Sequence, residues 1–279
     1  MNDGATTAVE MLINGHATDT ISALDRGLHY GDGLFETLAI INGLPVHWER
    51  HLQRLMHGCE RLSVAAPDVA ALTLEAQRLC AGQDRAVLKI IVTRGVGGRG
   101  YRLPSPAEQT RIMARYPWPD YPAANAQDGV CVRLCKARLG SNPALAGLKH
   151  LNRLEQVLAR AEWADETIAE GLMFDQDDHV IEGTMSNLFL VRGGQLVTAD
   201  LGNCGVAGIW RGLVIEWAAQ QRMVCTVRTV QRDELFAADE LLLCNSVIGI
   251  WPVRAIDAHR YSPGPVTRTL MQAMDQTHG

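Results

Sequence analysis

The sequence predicts a mixed α+β protein built as two lobes. Three features carry that expectation. Apolar runs with strand-like alternation interleave with runs of helical period, the 279 residues exceed one ordinary domain, and a proline-rich stretch breaks the chain near its middle. At roughly 150 residues per domain the length corresponds to about two. The break is YPWPDYPAANAQ at 116–127, whose three prolines favour an extended connector. The expected organisation is an N-terminal α+β domain over 1–118, a linker over 119–127 and a C-terminal domain over 128–279.

In the first part, the alternation over 34–41 and the apolar run 86–93 predict strands. Between them Leu52, Leu55, Met56, Cys59 and Leu62 recur at helical spacing. A second helix is expected over 68–80, with Asp68 near its N-terminus, where a short carboxylate accepts from an open backbone N–H. A strand at 110–116 follows a loop rich in glycine and proline. The second part opens with a strand at 130–136. The loop ARLGSNPALAGLKH then leads into a helix with Leu151, Leu154, Val157, Leu158 and Ala161 on one face. Strands at 171–175 and 188–191 flank a polar turn. Helices near 209–221 and 265–276 alternate with further strands.

Apolar residues make up 47% and charged residues 20%, which excludes a disordered chain, a coiled coil and a small disulfide scaffold. A formal net charge of −5 gives no general attraction to nucleic acid or anionic membrane. Seven cysteines contain no CxxC, and no histidine cluster accompanies them at zinc-like spacing. Buried, reduced thiols and no metal site are therefore expected, which suits the cytoplasm. The opening MNDGATTAVEM has neither a basic n-region nor an apolar h-region, so no signal peptide is expected. The most apolar stretch, 241–253, is too short to span a bilayer and contains Asn245 and Ser246. A small-molecule site in a cleft between lobes is the expected arrangement.

GVGGRG at 95–100 matches G-x-G-x-x-G after a predicted strand, but YRLPSP follows it. Pro104 and Pro106 oppose the helix that a dinucleotide site requires for its pyrophosphate. Two readings remain: a flexible turn, or a loop presenting Arg99 to an anionic substrate.

Three scattered signals combine into one chemistry. Arg54, in HWERHLQRL, lies off the apolar stripe of its helix. It belongs either to a solvated basic face or to a phosphate site, which its planar fork suits. Lys149 ends an apolar loop just before a helix. It is either an exposed lysine or, in an apolar pocket, a nucleophilic amine able to form a Schiff base. Glu182, in VIEGTMSNLF, is either a surface turn residue or a carboxylate that keeps a pyridine nitrogen protonated. Beyond it, Gly205 to Trp210 opens a helix whose free N–H groups offer an anion site.

The order Arg54, Lys149, Glu182-Gly183, Asn187-Leu188-Phe189 and Gly208-Ile209 resembles the fold-type IV pyridoxal-phosphate enzymes. These include branched-chain and D-amino acid aminotransferases and aminodeoxychorismate lyase. The resemblance runs from Asp25-Arg26-Gly27 and Tyr30-Gly31-Asp32-Gly33 to Pro252-Val253. TRGVGGRGY at 93–101 and NPALAGLKHLNRLEQVLAR at 142–160 are most similar to the lyase branch. The resemblance implies a small N-terminal α+β domain, a larger cofactor-binding C-terminal domain with barrel-like strands, and a homodimer with the site between lobes. It implies pyridoxal 5'-phosphate bound through Lys149, which also moves protons, with Glu182 at the ring nitrogen. Arg54, the backbone of Ile209 and Trp210, and Ser246 in CNSVIGIWPV would hold the phosphate. Thr37, in LFETL, would stand near the reacting atoms, although a β-branched strand residue needs no such role. Arg99 would meet a substrate carboxylate. The implied reaction converts 4-amino-4-deoxychorismate to 4-aminobenzoate and pyruvate in folate synthesis. An aminotransferase acting on D-amino or branched-chain amino acids is the alternative on the same scaffold.

Overall fold

The computed structural model describes residues 9–275. Residues 1–8, and Gln276 at the end of the expected last helix, lie outside the described residues. The chain divides into two compact units, one of residues up to Asp120 with Lys149–Asn152, the other of Tyr121–Leu148 and Arg153 onward. The four residues around Lys149 thus group with the first unit, although in the linear order they fall within 128–279.

The first unit contains β1 (Glu10–Ile13), β2 (His16–Ala17), α1 (Arg26–Tyr30), β3 (Gly33–Ile41), β4 (Leu44–Pro45), α2 (Trp48–Leu62), α3 (Val69–Cys80), β5 (Arg85–Thr93) and β6 (Thr110–Pro117). Its antiparallel sheet runs β2-β1-β6-β5-β3-β4. Leu34, Leu38 and Ile40 share one face of β3 and are buried, as are Val92 and Leu88 opposite Leu34 and Leu38 on β5. α2 packs on β3, and α3 on β5 and β6. α3 starts where its cap predicts: Asp68 Oδ1 accepts from Ala70 N at 2.9 Å.

The second unit contains α4 (Ala124–Gln127), β7 (Val130–Leu139), α5 (Leu154–Arg160), β8 (Ile168–Asp175), β9 (Val180–Gly183), β10 (Asn187–Arg192), β11 (Gln195–Ala199), α6 (Ile209–Gln220), β12 (Cys225–Arg228), α7 (Arg232–Ala237), β13 (Glu240–Asn245), β14 (Gly249–Ile256), β15 (His259–Arg260) and α8 (Pro265–Asp275). Its sheet runs β12-β11-β10-β13-β14-β7-β8-β9, and β9 at one end also lies against β10 and β11, so the sheet curls into a half-barrel. Both faces are covered. Leu188, Leu241 and Leu243 point into one core with Phe174 and Trp251, while Phe189, Leu242 and Cys244 point under α6 and α8. That double burial makes the 241–244 stretch continuously apolar rather than alternating.

Two expectations need correction. The polar turn between the strands at 171–175 and 188–191 contains a further strand, β9, all four of whose residues are buried. The apolar stripe expected on the helix after Lys149 is not a core face of this chain: Leu154, Val157 and Leu158 on α5 are 75%, 59% and 64% exposed. All seven cysteines are free thiols, five of them buried. Among the described residues no helix is long and apolar enough to cross a membrane.

Candidate active site

β3 alternates, so Phe35 and Thr37 face one side and Glu36 the other, against α2. Residues 149–151 lie along the edge of β3. Phe35 N donates to Lys149 O at 2.9 Å, Leu151 N donates to Gly33 O at 3.0 Å, and Leu34 and His150 form the bridge between them. This backbone pairing brings the Lys149 ammonium over the Phe35 ring, 4.3 Å from its centroid. Lys89, opposite Thr37 in the β3–β5 register, brings a second ammonium to 5.6 Å from the same ring. Lys149, Thr37, Phe35 and Lys89 therefore share one half-buried face of the sheet.

On the other side of β3, Glu36 is 1% exposed. Arg54 grips it with two parallel bonds, Nε to Oε1 at 2.8 Å and Nη2 to Oε2 at 2.5 Å. His51, one turn earlier on α2, donates from Nδ1 to Oε2 at 2.6 Å. Burial alone would raise the Glu36 pKa, but the Arg54 charge and the hydrogen bonds outweigh it and bring it down to about 2. Burial pushes His51 the opposite way to Glu36's attraction and prevails, so its pKa is lowered and its ring is neutral. Arg54 is thus not on a solvated basic face: its side chain is 12% exposed and ion-paired.

The glycine-rich loop starts from a buried arginine pair. Asp32 accepts from Arg26 Nε and Arg94 Nε, both at 2.8 Å, and from Arg94 Nη2 at 3.0 Å. Arg26 also donates to Gly100 O at 3.0 Å, while Gly100 N donates to the Tyr30 hydroxyl at 3.1 Å. No helix follows the loop, so the dinucleotide reading fails structurally as well. Arg99 is exposed on it and makes no ion pair among the described residues.

In the second unit, Glu182 is 4% exposed on β9, so the surface-turn reading is wrong. Its Oε2 accepts from Val206 N at 2.8 Å and from Asn187 Nδ2 at 3.4 Å. Asn187 Nδ2 also donates to Val206 O at 2.9 Å. Gly208 caps α6, and a Cβ there would come within 2.0 Å of Asn187 Oδ1, so a side chain at this position would have to displace the Asn187 amide. Ser246 is half-buried in the turn between β13 and β14. Asn245 shapes that turn: its Oδ1 accepts from Val247 N and Ile248 N at 2.8 and 2.9 Å, and its Nδ2 donates to Met185 O at 3.0 Å. Gly249, at the end of this turn, packs near the Trp210 ring, which brings the turn beside the start of α6.

Sequence reasoning missed Glu36, His51, Lys89, Asn245 and Glu170. The last is 1% exposed and accepts from Gly171 N, Thr184 N and Oγ1, Met185 N and Ser186 Oγ, which fixes the loop between Glu182 and Asn187. Burial is the main reason its pKa is raised. Asp175, Asp177 and His179 place potential ligand atoms within 4.8 Å of one another. There the Asp175 carboxylate already accepts from both backbone N–H groups and the His179 ring.

The chain is 35% identical to aminodeoxychorismate lyase of Vibrio harveyi, covering 92% of this chain and 97% of that one. It is 31% identical to a probable branched-chain-amino-acid aminotransferase of Thermotoga maritima, over 86% and 84%. The crystal structure of 4-amino-4-deoxychorismate lyase from Pseudomonas aeruginosa matches with a TM-score of 0.92 and 50% identity, covering 95% of this chain and 98% of that one. The amino-transferase class IV family matches residues 33–256, and with that span and these relatives the chain belongs to it.

Proposed function

We propose that this chain is a lyase that converts 4-amino-4-deoxychorismate to 4-aminobenzoate and pyruvate with pyridoxal 5'-phosphate. The observation that carries the reading is the 50% identity, over nearly the whole chain, to the Pseudomonas lyase. The alternative is a branched-chain or D-amino acid aminotransferase, of which the branched-chain form draws support from the Thermotoga relative.

The donor set fits the cofactor. Lys149 offers a primary amine, Glu182 a buried carboxylate, Arg54 a guanidinium, and α6 an N-terminal turn that Gly208 keeps open. Glu182 would meet the ring nitrogen and Lys149 the aldehyde carbon. Arg54, the N–H groups of Ile209 and Trp210, and Ser246 would hold the phosphate. When bound, the group supplies an electron sink for charge developing beside the substrate nitrogen.

Lys149 Nζ takes the proton from the amine-bearing ring carbon. The neighbouring carbon–oxygen bond breaks, its electron pair leaves with enolpyruvate, and the ring becomes aromatic. Enolpyruvate takes one proton at its methylene carbon from Lys149 or from Thr37, on the same face of β3. Substrate and products balance with no second keto acid. Arg99 holds a substrate carboxylate. We place the reaction in folate synthesis and in the cytoplasm, carried out by a homodimer. The exposed stripe of Leu154, Val157 and Leu158 supports the dimer as a surface that would be covered by a second copy.

The test uses purified, cofactor-loaded protein with aminodeoxychorismate and no keto acid. Equal, catalytic yields of pyruvate and 4-aminobenzoate are expected. No product from protein that binds its cofactor would sink the reading in favour of the aminotransferase.

A further inference from the structure

We propose that Glu36, oriented by His51, is a positioning residue for the cofactor phosphate: it fixes the plane of the Arg54 guanidinium before the anion arrives. The inference rests on the reading of Arg54 as a phosphate ligand.

Arginine has a long, rotatable side chain, and its value to a phosphate depends on presenting its fork in one orientation. Here that orientation is set from within the protein. Glu36 engages the Nε–Nη2 edge through both oxygens, so the plane of the guanidinium follows the plane of the carboxylate. The carboxylate is itself fixed, carried by β3 on its core side and held by the His51 Nδ1–H. Because an ionised carboxylate only accepts, the His51 proton is on Nδ1. Its Nε2 is buried and meets no hydrogen-bond partner among the described residues, so a second proton there would bury an unpartnered donor. The chain His51 to Glu36 to Arg54 is therefore one polar network. It also cancels the Arg54 charge locally. Arg54 then offers geometry and hydrogen bonds more than net charge.

This assignment makes a prediction that a merely structural role would not. Pyridoxal 5'-phosphate and pyridoxal differ only in the phosphate, so the ratio of their dissociation constants from the apoprotein isolates the phosphate contribution. Tryptophan fluorescence of the apoprotein follows both titrations, without any turnover. Glu36→Gln is expected to weaken pyridoxal 5'-phosphate about tenfold while leaving pyridoxal nearly unchanged. A loosened fold would weaken both ligands alike, and that outcome overturns the proposal. So does unchanged or tighter phosphate-dependent binding.

Arg54→Met separates this proposal from the reading beneath it. If Arg54→Met leaves the ratio at the wild-type value, Arg54 does not hold the phosphate and both fall. If Arg54→Met collapses the ratio and Glu36→Gln does not, only the positioning role is lost. In the Arg54→Met background, Glu36→Gln should remove nothing further. Should Glu36→Gln fail to fold, His51→Leu and His51→Gln take its place. The first lowers the ratio, and the second, which keeps an N–H donor towards Glu36, restores it. Equal ratios in the two would overturn the proposal.

Discussion

Glu36 lies at the same parity of β3 as Leu34, Leu38 and Ile40, so the pleat carries its charge to the apolar side. Its ionisation is therefore linked to folding. Its pKa is about 2 in the folded chain against an ordinary value of 4.5. A depressed carboxylate stabilises fully above its unfolded pKa and loses that contribution as pH falls through the folded one. On the order of 3 kcal/mol should disappear between about pH 4.5 and pH 2. His51, also depressed, adds to acid lability by taking up a proton only on unfolding as pH falls below 6.5. Denaturant melts of Glu36→Gln should show lower stability at pH 7 and a flatter acid limb. A parallel limb would contradict the linkage. On the other face of β3, with the proton-transfer role proposed for it, Lys149→Ala should lower turnover by at least the roughly 10²- to 10⁴-fold that proton transfer contributes. Thr37→Val should slow elimination with the cofactor still bound, checked by single-turnover kinetics. Unchanged kinetics would return Thr37 to packing. The parity of L-F-E-T-L already contained the signal for Glu36, since a charge in register with leucines must be buried and partnered. The partner it pairs with, Arg54, lies 18 residues away, so neither residue marks the other locally.

At the level of elements, periodicity located α2 and β3, which each have one apolar face, while the strands buried on both faces show as continuous apolar runs. It left β9 inside a turn, since four buried residues with a glutamate among them have no period to read. The same limit applied to Glu182, whose burial comes from the curl of the sheet and from Val206, distant in sequence. Gly208 shows how tightly α6 is seated. Gly208→Ala should cost about 1–3 kcal/mol, because the Cβ would meet Asn187 Oδ1 at 2.0 Å. With the phosphate role proposed for the start of α6, it should also weaken binding of inorganic phosphate to the apoprotein. Wild-type stability in that variant would show that the loop can shift at no cost.

For the whole molecule, α5 carries the clearest expectation. Its leucines and valine were legible as a stripe, but a sequence cannot say whether a stripe faces its own core or another chain. Replacing Leu158 by lysine should shift the protein towards monomer in sedimentation at micromolar concentration, with little change in the spectrum of the folded chain. A variant that sediments as the wild type would remove this stripe from any subunit contact. The prolines at 116–127 are a local signal in the sequence, whereas the grouping of Lys149–Asn152 with the first unit has none. Long-range backbone pairing leaves no local composition to detect.

That pairing also bears on how the protein is made. The ribosome releases the chain from its N-terminus, so β3, β5 and β6 emerge long before residues 149–151. Until then the N–H of Phe35 and the carbonyl of Gly33 lack the backbone partners they have in the finished chain. During synthesis the first unit therefore carries a partly open strand edge, a place where nascent chains can pair wrongly with one another. The segment that closes it is the one that bears Lys149, so the last backbone step in completing this edge is also the step that brings the Lys149 amine to the Phe35 ring.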